Sequence, residues 1–431
     1  MQESWDWTEG ESCVLNTGQS PHGTEWTGEF SVSQDGTCAA GILMTEDGEF
    51  GVQTNKVQWK STYDNLWNLK FTPDNRCVAL TSSLGVWTVT VDQESWPEEY
   101  EYIWSLMCAG SEHVLGAAIK SDGQYGMARD GMNWPHLFPN ATGFTLGPKG
   151  AHTACVVQTA PLGEGDIQAF QQGVFTVAKD GVPWEQTFLN VWSPCFDSQG
   201  EGLAATVRTG LDAYTIAVDG LAWPETYAMA WEPVFNPVTG AVVAPVQMSG
   251  HHWGLAQDNH IIWDPGYEQL WQVQVSPSGS DILAIGAPKY GHFTVIRNNR
   301  PWHTVYPVLT DLTLSPEGER AAAVGQCCLG APDDERGLAT QKWQVVVDDE
   351  PWSGWYDRVL RPVFSPDGEH VAVRVKHEGK FAYLLDGSVC PRTFDAAWDP
   401  VFSPDGQTIL LRVRDGNRFL RIVRGLGQFT S

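Results

Sequence analysis

Paired cysteines, basic charge and long apolar runs are all scarce in this chain, and each shortage removes a class of function. Its 431 residues hold nine cysteines but no Cys-x-x-Cys, which excludes zinc ribbons, thioredoxin-type redox centres, covalent haem and ordinary cysteine-ligated iron–sulfur sites. Lys and Arg number 26 against 52 Asp and Glu, a net charge of −26, the wrong balance for a protein that releases counterions from phosphates. Nucleic acid is therefore not an expected partner. No apolar stretch approaches the roughly 18 residues that cross a bilayer, and residues 1–30 lack the basic start and apolar stretch of an export signal. The expectation is a cytoplasmic chain without direct membrane insertion. G-x-S-x-G, the P-loop and the Rossmann fingerprint are also missing; GFTLGPKGAHT at 143–153 has the wrong glycine spacing for a phosphate cradle.

What the chain does have is a repeat. An FSPDG block is clearest at 364–368 and 402–406, with weaker copies VSQDG at 32–36, FTPDN at 71–75, FDSQG at 196–200, VSPSG at 275–279 and LSPEG at 314–318. Two further turns, ending near Ser111 and Gly150, are placed by spacing alone. The result is about ten repeats of about 40 residues. Two longer steps mark insertions near 160–172 and 327–341.

A second marker runs in step: an Asp-Gly-like turn followed by Trp, as in KDGVPW, VDGLAW and VDDEPW. These positions are Trp59, Trp96, Trp134, Trp184, Trp223, Trp263, Trp302 and Trp352, with Pro391 and Phe429 read as their equivalents in the last two repeats. Five repeats add a Trp eight residues on: Trp67, Trp104, Trp192, Trp231 and Trp271. Trp398 belongs to the same set of repeat aromatics. All are read as structural plates between sheets.

Between markers the segments are short, rich in Val, Ala, Thr and aromatics, and bounded by Gly, Pro, Asp and Asn, which reads as strands joined by hairpins. Helical periodicity is absent. Four-strand repeats of this length predict an all-β fold, a β-propeller, as one large ring or two smaller ones over 24–431. Residues 1–23, through Cys13-Val14-Leu15, are read as the segment that supplies a missing outer strand to the last repeat.

Candidate sites are few. Residues 1–130 carry 6 basic and 20 acidic side chains and residues 351–431 carry 11 and 9, so the last repeat is the basic one. Arg412, Arg414, Arg418 and Arg421 are candidates to dock an acidic partner, while Glu98, Glu99 and Tyr100 offer an acidic hairpin to a basic one. Cys327 and Cys328 are vicinal in an insertion, beside Asp333, Asp334 and Glu335; a strained disulfide, a soft-metal pair and ordinary loop thiols all remain open. His251, His252 and His260 form a histidine cluster, but adjacent imidazoles on a strand point to opposite faces. No catalytic residue and no cofactor of its own is assigned.

The Trp-studded FSPDG repeats resemble the WD-repeat and TolB-like propeller superfamily, which implies a fold and not a function. In size, acidity and Trp content the chain is similar to the tryptophan-rich subunits of Tmc-type transmembrane redox complexes of sulfate-reducing bacteria. That likeness implies a cofactor-free scaffold on the inner face of the cytoplasmic membrane. Its implied partners are an iron–sulfur subunit, a membrane cytochrome b subunit and a multihaem cytochrome c. AKDGVPW also resembles the tryptophan-docking motifs of quinoprotein dehydrogenases, so a quinoprotein-like enzyme and a small-molecule-binding propeller stand as alternatives.

Overall fold

The computed structural model describes residues 2–109, 113–163, 167–329 and 340–429. The turn placed near Ser111 and the acidic run Asp333, Asp334 and Glu335 lie outside them. The described chain is all-β, a β-propeller of ten blade sheets. One six-residue α-helix, Ile167–Gln172, and two 3₁₀ turns are the only helices among the described residues. The helix occupies the insertion at 160–172, where the sequence showed no helical period. By contacts the chain falls into two compact bodies: Ser20–Ser33 with Ala40–Pro265, and Met1–Gln19 with Gln34–Ala39 and Gly266–Ser431.

Most sheets are plain antiparallel meanders of four strands. One runs Asn190–Phe196, Leu203–Gly210, Ala213–Val218, Leu221–Ala222. The second strand of each sheet is its most buried, with small residues such as Ala117, Ala118, Ala204, Ala205, Ala322 and Ala323 wholly inside. Small side chains let neighbouring sheets approach closely, and larger ones then fill the wedge. The core is accordingly a series of layers between consecutive sheets: Val78, Leu80 and Val89 pack on Leu115, Ala117 and Ile119 in the first body, as Ala322, Val324 and Val345 pack on Val371, Val373 and Leu384 in the second.

The final sheet is built from both ends of the chain. Gly10–Asn16 pairs antiparallel with Arg418–Gly425, from Gly10 opposite Val423 to Asn16 opposite Arg418, and Arg392 joins Glu11 at 2.6 Å. The insertion at 327–341 is no irregular loop at its base, because Ala321–Leu329 and Thr340–Val347 stay paired out to Leu329 opposite Thr340.

Candidate functional site

The Asp-Gly markers are type I′ turns with two left-handed residues, such as Asp219 (φ 47°) and Gly220 (φ 86°), or Asp348 (50°) and Asp349 (69°). Asp and Asn tolerate this conformation because their short polar side chains bond locally. Here the bond recurs in eight repeats: the first turn residue accepts, through Oδ1, the N–H at the start of the second strand. Examples are Leu203 to Asp219 at 3.0 Å, Ile282 to Asn298 at 2.9 Å and Val371 to Asp386 at 2.8 Å. The following glycine lies under the marker Trp of the preceding repeat. A Cβ on Gly220 would stand 3.1 Å from Trp184, and one on Gly131 3.3 Å from Trp96. Where that position is Gln93, Asn259 or Asp349, its side chain accepts backbone N–H groups just after the preceding marker, as Asp349 does from His303 and Thr304, both at 2.8 Å.

The marker Trp side chains sit in or against the layers between sheets, with Trp59 and Trp263 each 4% exposed and Trp96, Trp184, Trp223, Trp302 and Trp352 partly buried against their layers. In the ninth repeat the equivalent residue is Cys390, not Pro391: Cys390 N–H donates to Tyr383 O at 2.8 Å, as Trp223 N–H donates to Ile216 O. Two further aromatic series escaped the sequence reading. One lies four residues after each marker (Tyr63, Tyr100, Phe138, Phe188, Tyr227, Tyr267, Tyr306, Tyr356, Phe394) and is buried throughout. The other lies nine residues before it in most repeats, and the two form a β-bridge in each, as Trp87 with Tyr100 and Tyr214 with Tyr227.

Three of the five second Trp of the sequence signature do not share this interior role, whereas Trp104 is half-buried and Trp271 packs against its layer beside Trp302. Trp67, Trp192 and Trp231 are 36%, 38% and 43% exposed, and Tyr102 is 42% exposed. The cause is local. After Trp67, Trp104, Trp192 and Trp271 the next residue turns left-handed (Asn68 56°, Ser105 49°, Ser193 49°, Gln272 49°), and the ladder slips there. Such a bulge re-aims a side chain away from the regular pleat. Pro194 falls within one of these bulges, and Pro233, Pro362 and Pro400 fall in the gaps that interrupt the first strand of three other sheets, where a residue owes the ladder no donor.

These outward aromatics are braced by rings. In the first body Trp67, Trp87, Tyr102, Trp104, Tyr125 and Phe144 form a continuous series with centroids 5.4–6.4 Å apart. Trp192 stacks on Tyr214 at 5.8 Å, and Trp231 lies parallel to Trp253 at 5.6 Å with 4° between planes. Between the fifth and sixth sheets of this body a cleft of about 300 Å³ is lined by Trp192, Ser193, Thr206, Tyr214, Met229, Ala230, Trp231 and Glu232. Trp192 pairs with Thr206 and Arg208 with Tyr214 across the ladder, so these side chains share the face that meets the sixth sheet.

The residues proposed from sequence as docking groups separate on burial. Arg418, Glu98 and Glu99 are exposed and Arg414 is half-buried. Arg412 and Arg421 are 7% and 8% exposed, sit opposite one another in the ladder, and are committed internally: Arg421 donates to Asp35 O at 2.8 Å and to Asp6 O, Arg412 to Asp399 O at 2.8 Å. Tyr100, 1% exposed, donates its hydroxyl to Asn133 at 2.6 Å, and burial drives its phenol far above the usual range. These three belong to the interior. Cys327 and Cys328 lie on a strand, with Lys342 and Gln341 as their backbone partners in the ladder. Cys13, Cys108, Cys155, Cys195 and Cys390 are free thiols. Among the described residues no three of His, Cys, Asp and Glu are grouped to hold a metal ion, and no helix is long and apolar enough to cross a membrane.

No protein-family model and no curated protein matches the chain. Solved structures do resemble it in fold. The Dos1 propeller is 10% identical, covering 96% of this chain and 94% of that one, with a TM-score of 0.33. The WD40 β-propeller domain of Doa1 is 13% identical over 65% of this chain and 91% of that one, at 0.26. An oligogalacturonate lyase in complex with manganese is 10% identical over 99% and 96%, at 0.32. Likeness at this level concerns the fold alone, and the structural neighbours of this chain are WD40 and TolB-like β-propellers.

Proposed function

We propose that the chain is a non-catalytic interaction scaffold that grips a protein partner through the outward aromatics of its first strands. The observation that carries this reading is the set Trp67, Tyr102, Trp192 and Trp231, exposed on bulged strands yet braced by stacked rings. Trp and Tyr held rigid at a surface lose little conformational freedom on binding, which is why they dominate interface energetics. The exposed Glu98 and Glu99 and the net charge of −26 favour a partner with a basic surface. The likeness in composition to tryptophan-rich subunits of transmembrane redox complexes supplies the finer proposal: the partner is the cytoplasmic iron–sulfur subunit of a membrane-associated electron-transfer complex.

The test is gentle affinity purification of the tagged chain from its native cell, wild type beside Trp67→Ser/Tyr102→Ser, with mass spectrometry of the co-purified proteins and an absorption spectrum. Recovery of iron–sulfur and cytochrome subunits with the wild type, and their loss with the variant, is expected. A chain that purifies alone and carries its own chromophore overturns the scaffold reading.

A further inference from the structure

We infer that the cleft between the fifth and sixth sheets binds an organic cation, an alkylammonium group seated between aromatic walls and held by one carboxylate. This goes beyond the scaffold reading and does not depend on it. Three features of the site point to that chemistry.

The first is shape. At about 300 Å³ the cleft is at the small end of sites that take small molecules or a single protruding side chain. The second is pre-organisation. Tyr214 supports Trp192 and Trp253 supports Trp231, so the indole walls are fixed before a ligand arrives. The Thr206 hydroxyl donates to Trp231 O at 2.9 Å and fixes that strand as well. The third is charge. Indole and phenol faces are the negative ends of ring quadrupoles, and their recognised use in a cleft is to hold a desolvated ammonium. Glu232 adds a full negative charge to the lining. No cationic side chain lines it. One guanidinium, that of Arg208, lies 5.4 Å from the Tyr214 centroid and is tied to the carbonyls of Gly210 and Leu211.

A neutral ligand of the same shape gains the apolar contact but neither the quadrupole nor the Glu232 term. That difference separates an ammonium site from a generic greasy cleft. The same ammonium chemistry reaches a protein from two sources, a free quaternary amine or a methylated lysine side chain of a partner, and separate probes resolve them.

Isothermal titration of the full chain is run with choline, with its neutral isostere 3,3-dimethylbutan-1-ol, and with a capped trimethyllysine. Choline or trimethyllysine is expected to bind at least tenfold tighter than the neutral isostere, and whichever cation is tighter identifies the source. Glu232→Gln is expected to erode that preference, and Trp231→Leu to weaken the cation at least tenfold, with the thermal midpoint unchanged to show that the fold persists. Absence of cation binding, parity between choline and the neutral isostere, or a preference untouched in Glu232→Gln overturns the inference. The partner-capture test uses Trp67 and Tyr102, which lie outside this cleft, so the two readings fail separately.

Discussion

Replacing Asp219 by Ala removes two supports from one hairpin at once. The Leu203 N–H, which donates to Asp219 Oδ1 at 3.0 Å, opens the second strand of its sheet at a wholly buried residue; leaving such a donor without its partner costs about 1–3 kcal/mol. The turn also needs φ of 47° at this position, which costs a residue with a plain Cβ about 1–2 kcal/mol. Together the loss is about 2–5 kcal/mol. For a body of some two hundred residues that corresponds to a fall in thermal midpoint of about 4–20 °C. Asp219→Asn keeps both the acceptor and the tolerance of left-handed backbone, and the chain itself uses Asn298 in this role. Its midpoint is expected within about 3 °C of wild type. Melting curves followed by circular dichroism on the three proteins decide the matter. If Asn proves as damaging as Ala, or Ala as harmless as Asn, the side-chain bond is not what holds these turns and the account of the repeat is wrong.

Arg421→Ala should destabilise by about 1–3 kcal/mol in denaturant titration, because it strips the buried Asp35 carbonyl of its donor and removes the bond to the Asp6 carbonyl. Added to Arg412→Ala it should cost less than the sum of the two, since the guanidinium groups face each other in the ladder and each removal relieves like-charge repulsion. Burial pushes the Asp349 carboxyl up, but the N–H groups of His303 and Thr304 outweigh it and hold it below the usual carboxylate range. Its folded pKa is therefore depressed, so its contribution is complete above about pH 4 and is lost as pH falls through the folded value. Asp349→Asn should lower stability at pH 7, where the carboxylate contributes in full, and flatten acid unfolding over that window. Burial pushes the Cys195 thiol up to about 12 and encloses Cys155, whereas Cys13 is exposed. At pH 8 an alkylating reagent should mark Cys13 in the native protein and reach Cys155 and Cys195 only after denaturation; early labelling of Cys195 would contradict its placement.

The fold was legible because the repeat leaves covalent marks on the sequence: a left-handed Asp-Gly turn and a wedge-filling Trp are required once per sheet and tolerate little else. The strands around Val371–His377 and Lys380–Leu385 follow from alternation alone. The aromatics at +4 and −9 were equally periodic, but Tyr, Phe and Trp interchange there and no turn residue flags them. The outward direction of Trp67 and Trp192 was hidden for a different reason. A bulge follows each, at Asn68 and at Ser193, and a bulge is set by a backbone torsion that ordinary residues adopt only in context. Charge counting failed at Arg412 and Arg421 because strand alternation tells which residues share a face, not whether that face is wet. The cleft was beyond sequence altogether, being made by two sheets whose relevant residues stand about forty positions apart.

The pairing of Gly10–Asn16 with Arg418–Gly425 also sets an order of events during folding. Residues 10–16 must wait for a partner strand some four hundred residues later, whereas the other sheets close on locally made neighbours. The slowest step of folding is thereby assigned to one seam, the contact of longest sequence separation. Until that seam closes, Arg418–Gly425 is a bare strand edge, and that interval is when this molecule is most exposed to pairing with another copy of itself.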